Sequence, residues 1–272
     1  MSTITKMTSP TPSAPRIIKV SVISDITCPW CYVANTEIDS AIARLQLPAD
    51  AKVKFELEHK PYLLNPGWQD DEWRMKKDFM IEKLGKDKLT KVHEMLNSRG
   101  KGLGIILYVT RRPDTPRSII DCILLSGDDG IICSTWRPHR LLVWAWNKSG
   151  SDAQSKLLKA LYQATFERGE NVSDVEVLAK YAEECGIASR REVSFVFQQL
   201  NSLGADVGQA TEFLKTDELK ADVQRMASFA QSNGVSGVPF TVIDGRWAIS
   251  GGQSSEVYYE VRQIPWKAPF LY

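Results

Sequence analysis

Two cysteines stand at the ends of the run Cys28-Pro29-Trp30-Cys31, a spacing that lets two thiols open and close as a disulfide. Ahead of them runs the strand-like stretch Ile17-Ile18-Lys19-Val20-Ser21-Val22-Ile23. Behind them Tyr32, Val33, Ile38, Ala41, Ile42 and Leu45 recur with a helical period. The first turn of a helix presents unpaired N–H groups and a partial positive charge, which favours an anionic sulfur there. Cys28 at the helix mouth is therefore the expected attacking sulfur, and Cys31, one turn in, the resolving one. Pro29 suits the first helical position, where its missing N–H would have no intrahelical partner.

The same spacing is half of a zinc site. The remaining candidates are Cys122, Cys133 and Cys185 with His59, His93 and His139, and none forms a second closely spaced ligand pair. A redox dithiol is the better reading, and no metal is expected.

The 272-residue chain is 43% hydrophobic and 25% charged, an ordinary globular composition of one large unit or two joined ones. A net charge of +1, with acidic and basic residues interspersed, gives no footprint for nucleic acid. Five cysteines are too few for a disulfide-stapled secreted scaffold. Residues 1–16 are rich in Ser, Thr and Pro and read as a disordered lead-in without the apolar core of a secretory signal. No apolar run is long enough to span a bilayer, so no membrane is expected. The cytoplasm is the default compartment, with organelle import left open.

Residues 51–59 alternate Val53, Phe55 and Leu57 against charged positions, a second strand. Helical patterns follow over Trp68 to Arg99, Leu141 to Trp146, Leu157 to Phe166, Val175 to Ala182, Val193 to Leu200 and Thr216 to Asn233, with Thr216 an N-cap candidate. Phe240 to Ile243 and Trp247 to Ile249 read as a hairpin around Asp244-Gly245, and a last helix spans Ser254 to Gln263. The layout places residues 17–66 and 214–264 in one sheet-bearing unit. Residues 67–213 form an inserted helical domain, and 265–272 a C-terminal tail.

Five segments recur in order: Asp25-Ile26-Thr27-Cys28-Pro29-Trp30-Cys31-Tyr32, Tyr62-Leu63-Leu64-Asn65-Pro66, Phe166-Glu167-Arg168-Gly169-Glu170, Ser236-Gly237-Val238-Pro239-Phe240 and Ile249-Ser250-Gly251-Gly252-Gln253. Together they resemble the DsbA family, in its FrnE-like branch, over nearly all of Ile17 to Ile264. The resemblance implies an α/β thioredoxin fold with a large inserted α-helical domain and dithiol–disulfide chemistry. It is related to kappa-class glutathione transferases and 2-hydroxychromene-2-carboxylate isomerases, which typically carry serine at the first cysteine position.

It further implies that Val238-Pro239 is a cis bond beside Cys28, where the Val238 backbone meets an extended substrate. Trp30 would shape the contact surface, and His139 would stabilise a thiolate or touch substrate from the inserted domain. Asp25, three residues before Cys28, is expected to support the helix start as a cap, with proton relay to Cys31 as the other role. The family's short link beyond Arg99 is replaced here by Gly100 to Cys133, a stretch open to readings as a lid, a homodimer contact, an extra hairpin or a misannotated insertion.

Thiol–disulfide oxidoreductase is the first function expected, acting on a disulfide or dithiol substrate without a bound cofactor. The alternative is a glutathione-dependent transferase, isomerase or tailoring oxidoreductase, with glutathione as co-substrate. Its aromatic small molecule would sit in a cleft lined by Trp73, Trp136, Trp144 and Trp146.

Overall fold

The structure is a computed structural model that describes residues 16–45, 53–105, 130–188 and 208–260. Strand β1 (Arg16–Ser24) leads into helix α1 (Pro29–Arg44), and β2 (Val53–Pro61) returns parallel to β1. Then come β3 (Trp73–Met75), α2 (Lys76–Leu84), α3 (Lys86–Leu103), β4 (Ile131–Cys133), α4 (Trp136–Phe166) and α5 (Val175–Glu184). Helices α6 (Gln209–Lys215) and α7 (Lys220–Ser232) precede the hairpin β5 (Phe240–Ile243) and β6 (Trp247–Ser250), and α8 (Ser255–Glu260) follows.

The main sheet has the order β2-β1-β5-β6, with β5 antiparallel to both β1 and β6. As an inner strand, β1 buries both faces. Ile18, Val20 and Val22 pack with Ile38 and Ala41 of α1 and Tyr258 of α8, while Ile23 packs with Ala230 of α7 and Val235. Alternate side chains of a strand point to opposite faces, so one apolar strand can hold helices on both sides. The hairpin turns at Asp244 and Gly245, whose φ values of 49° and 67° match the right-handed twist of the strands they join.

The outer edge of β2 would present unpaired backbone groups. Helix α4 covers it with side chains. The Gln154 side-chain oxygen accepts from the His59 N–H at 2.8 Å, and its amide donates to the His59 carbonyl at 3.0 Å. Ser151 Oγ likewise accepts from the Leu57 N–H at 3.1 Å and donates to its carbonyl at 2.8 Å. These two residues lie just past Gly150 (φ 77°), where α4 breaks its helical path.

Several local expectations shift. The helical pattern expected over Trp68 to Arg99 is two helices, α2 and α3, divided at Gly85 (φ 76°), and they are preceded by β3, which pairs with β4. Thr216 does not open α7. Its Oγ1 donates to the Phe213 carbonyl at 2.7 Å at the end of α6, and α7 starts only after Leu219. The helix expected over 193–200, Cys122, most of the Gly100 to Cys133 stretch, the N-terminal tail and the chain beyond 260 lie outside the described residues. Among the described residues no helix is long and apolar enough to cross a membrane.

Candidate active site

The turn after β1 sets Cys28 at the N-cap of α1 with extended backbone, and Pro29 takes the first helical position. Cys28 supplies no side-chain cap bond. Its carbonyl accepts instead from the N–H of Cys31 at 3.0 Å and of Tyr32 at 3.4 Å, which winds the first turn between the two sulfurs. Both thiols are free. Both are buried, Cys28 at 7% exposure and Cys31 at 1%, so the first residue is the less deeply covered. Burial first, and the sulfur of Cys28 second, push the Cys31 thiol well above its ordinary range. It holds its proton beside a neighbour that is chemically the more available.

Opposite the dithiol, the Val238–Pro239 peptide bond is cis and the Cys28 thiol donates to the Val238 carbonyl at 3.7 Å. Trp30 packs on the turn before α8. A Cβ built on Gly252 would stand 3.2 Å from both the Trp30 ring and its carbonyl oxygen, so this glycine permits the close approach. An open groove of about 620 Å³ runs from there between Trp30, Met95, Arg99, Gly252 and Gln253. Glu37 braces its floor, accepting from Arg99 at 2.8 Å and from the Ser255 N–H at 2.7 Å, the latter at the start of α8.

Asp25 is a hub of hydrogen bonds. Its Oδ1 accepts from the Thr27 N–H at 2.9 Å and the Thr27 hydroxyl at 2.8 Å. Its Oδ2 accepts from the Leu64 N–H at 2.8 Å and the Thr135 hydroxyl at 3.3 Å. The carboxylate is 1% exposed and ties three segments together behind the cysteines. A buried charge is tolerated when donors satisfy it this fully.

His139 is also behind the dithiol. It is 3% exposed, and its Nε2 donates to the Tyr62 carbonyl at 3.0 Å. Burial lowers its proton affinity while the charge of Asp25 opposes that change. The ring is buried where the start of α4 meets the end of β2. Trp136 is buried and donates to the Pro66 carbonyl at 3.3 Å, Trp144 stacks on Phe213 at 5.3 Å, and Trp73 is exposed.

Three contributors escaped the sequence reading: Glu37, Arg99 and Lys76. Glu37 sits among apolar α1 positions, a signal that it has a buried partner. Lys76 lies in a charged run, Lys76-Lys77-Asp78, that reads as a solvated face. In the structure it is buried, its amine 4.9 Å above the Phe166 ring.

A thiol at a helix mouth, a cis-proline loop facing it and a β-α-β unit completed by an antiparallel hairpin define the thioredoxin-like class. The sequence profile of the DSBA-like thioredoxin domain matches residues 19–198 and 190–261, and the chain belongs to that family. A probable DsbA oxidoreductase from Streptomyces coelicolor is 23% identical, with a TM-score of 0.68 over 93% of this chain and 92% of that one. A 2-hydroxychromene-2-carboxylate isomerase is 12% identical, with a TM-score of 0.54 over 90% and 93%. A cytosolic disulfide reductase from Pseudomonas aeruginosa is 13% identical, with a TM-score of 0.50 over 90% and 98%. At these identities the likeness is one of fold, an α/β thioredoxin architecture carrying a large helical insertion. No curated protein matches the chain.

Proposed function

We propose that this protein is a thiol–disulfide oxidoreductase of the cytoplasm in which Cys28 and Cys31 form the working couple. The observation that carries the reading is the asymmetry of two thiols one helical turn apart. Cys28 is at the N-cap facing the Val238 carbonyl, and Cys31 is buried and held protonated.

In the reductive direction the Cys28 sulfur attacks one sulfur of a substrate disulfide. The S–S bond breaks, one thiolate leaves, and a mixed disulfide joins Cys28 to the other half. Cys31 then gives up its proton and attacks the Cys28 sulfur. The second substrate thiol is released and the Cys28–Cys31 bond closes. Two electrons pass from the protein to the substrate. The thiolate is the nucleophile in each step, and the rate follows both thiolate fraction and leaving-group acidity. Val238 and Pro239 form the loop on which an extended substrate rests, and Trp30 borders it with the adjacent groove. The free thiols of Cys133 and Cys185 agree with a reducing compartment.

Insulin reduction with dithiothreitol as donor tests the proposal. The expected result is turnover by the wild type, loss to background in Cys28→Ser, and a trapped mixed disulfide in Cys31→Ser. Turnover that survives Cys28→Ser would overturn it.

A further inference from the structure

Helix α1 carries a carboxylate, Glu37, among its buried residues, and it is 5% exposed. Glutamate is almost never so covered unless it is paired. Both of its oxygens are engaged. Oε1 accepts from Nη2 of Arg99, on α3, at 2.8 Å, and Oε2 accepts from the Ser255 N–H that opens α8 at 2.7 Å. The same arginine nitrogen reaches the Gly252 carbonyl at 3.5 Å. One ion pair therefore joins α1, α3 and the turn over 251–253.

That turn touches both elements that border the dithiol. The Gly251 N–H donates to the Pro239 carbonyl at 2.9 Å, beside the cis bond. Gly252 lies so near Trp30 that an added Cβ would stand 3.2 Å from the ring. The turn is also braced within itself: the Gln253 N–H donates to the Gly251 carbonyl at 3.0 Å, and the Gln253 side-chain amide to the Ser250 carbonyl at 2.8 Å. The groove of about 620 Å³ is lined by this turn, by Met95 and Arg99 of α3 and by Trp30. Whatever fixes the turn relative to α3 fixes the groove. The helices on either side have holds of their own. Arg44 of α1 reaches Glu256 of α8 at 2.7 Å, Tyr258 packs with the strands, and α3 buries Leu89 and Leu96. Loss of the Glu37–Arg99 contact should loosen the turn while the fold stays.

We propose that Glu37 and Arg99 are a substrate-positioning pair. They hold the 251–253 turn between Trp30 and the cis-proline loop, and so set how tightly the polypeptide beside a substrate's disulfide is bound, without entering the sulfur chemistry. This rests on the oxidoreductase reading above. An arginine suits the task because its planar fork can serve the carboxylate and the Gly252 carbonyl from a fixed geometry. An interaction that binds ground state and transition state alike shows in KM and leaves kcat in place.

The test compares two substrates for the wild type, Arg99→Gln and Arg99→Lys. Insulin, reduced with saturating dithiothreitol as donor, can fill the groove. Hydroxyethyl disulfide, reacted with the reduced protein alone, is too small to do so and reports the thiols. Arg99→Gln is expected to raise the insulin KM roughly tenfold, with kcat and the rate towards hydroxyethyl disulfide unchanged within about twofold. Arg99→Lys keeps a cation for Glu37 and should regain part of that loss. An insulin KM unchanged in Arg99→Gln overturns the proposal. So does an equal loss on both substrates, which would place the effect on the thiols, and so does a lysine variant no better than glutamine, which would reduce the role to packing. If Arg99→Gln does not fold, Glu37→Gln decides. Its amide oxygen still accepts from Ser255 but no ion pair holds Arg99, so the insulin KM should rise severalfold, and an unchanged KM overturns the proposal. A wild type that never forms the Cys28–Cys31 bond overturns the oxidoreductase reading itself, and the pair's role with it.

Discussion

Asp25 accepts a hydrogen bond from the backbone N–H of Leu64 at 2.8 Å, joining the turn before the dithiol to the segment after β2. Thirty-nine positions separate the two residues. The same carboxylate holds Thr27 and Thr135, so it sets where α1 begins and therefore where Cys28 and Cys31 point. Asp25→Ala would leave buried N–H groups unpaired and is expected to cost about 2–4 kcal/mol. Asp25→Asn, which presents an amide to one set of donors, should fall between. Urea unfolding of the three proteins measures this, and equal midpoints would contradict the hub role.

The two thiols should differ sharply in reactivity. Cys28 is the more exposed, and Cys31 is both covered and held protonated. With iodoacetamide near neutral pH, Cys28 is expected to be labelled at least about tenfold faster than Cys31, because the reactive species is the thiolate. Peptide mapping by mass spectrometry reads the ratio. Comparable labelling of both would mean that Cys31 is not sequestered.

Gly252 should resist enlargement. A Cβ there would meet the Trp30 ring and carbonyl at 3.2 Å, and the carbonyl belongs to the first turn of α1 and cannot swing aside. Gly252→Ala is expected to cost about 1–2 kcal/mol through overpacking. It should also slow disulfide exchange by moving Trp30. Thermal unfolding alongside insulin reduction checks both, and a variant identical to wild type would show that the turn gives way freely.

Acid should weaken the protein through His59. Burial holds that imidazole at about 4 against an ordinary value of 6.5, so the folded form keeps it neutral. Above the ordinary value neither state is protonated and the full stability is present. As pH falls towards the folded value, the unfolded chain binds a proton that the native state refuses, and stability is lost by about 3 kcal/mol across that window. His139 is shifted in the same direction by its burial and adds to the loss. Denaturation at pH about 7 and about 4.5 for wild type and His59→Asn measures it. The variant should lose less, and an equal loss would assign the effect elsewhere.

Much of the working part was legible in the chain itself. The apolar run Ile17 to Ile23, the Cys28-Pro29-Trp30-Cys31 spacing and the helical period behind it determined that two thiols sit at a strand-to-helix junction. Asp244-Gly245 likewise determined the hairpin. Each is a local property, set by backbone preference and by side-chain repeats of two or 3.6 residues. What surrounds the thiols was not local. Strands β3 and β4, three residues each, are too short to show a period and exist because they pair. Asp25 meets Leu64 and Thr135, and His139 meets the Tyr62 carbonyl, only once the chain has folded. Nothing in the charged neighbourhood of Lys76 says that Phe166 lies beneath it. Burial and charge pairing depend on contacts between residues far apart in sequence, and only the folded chain decides those.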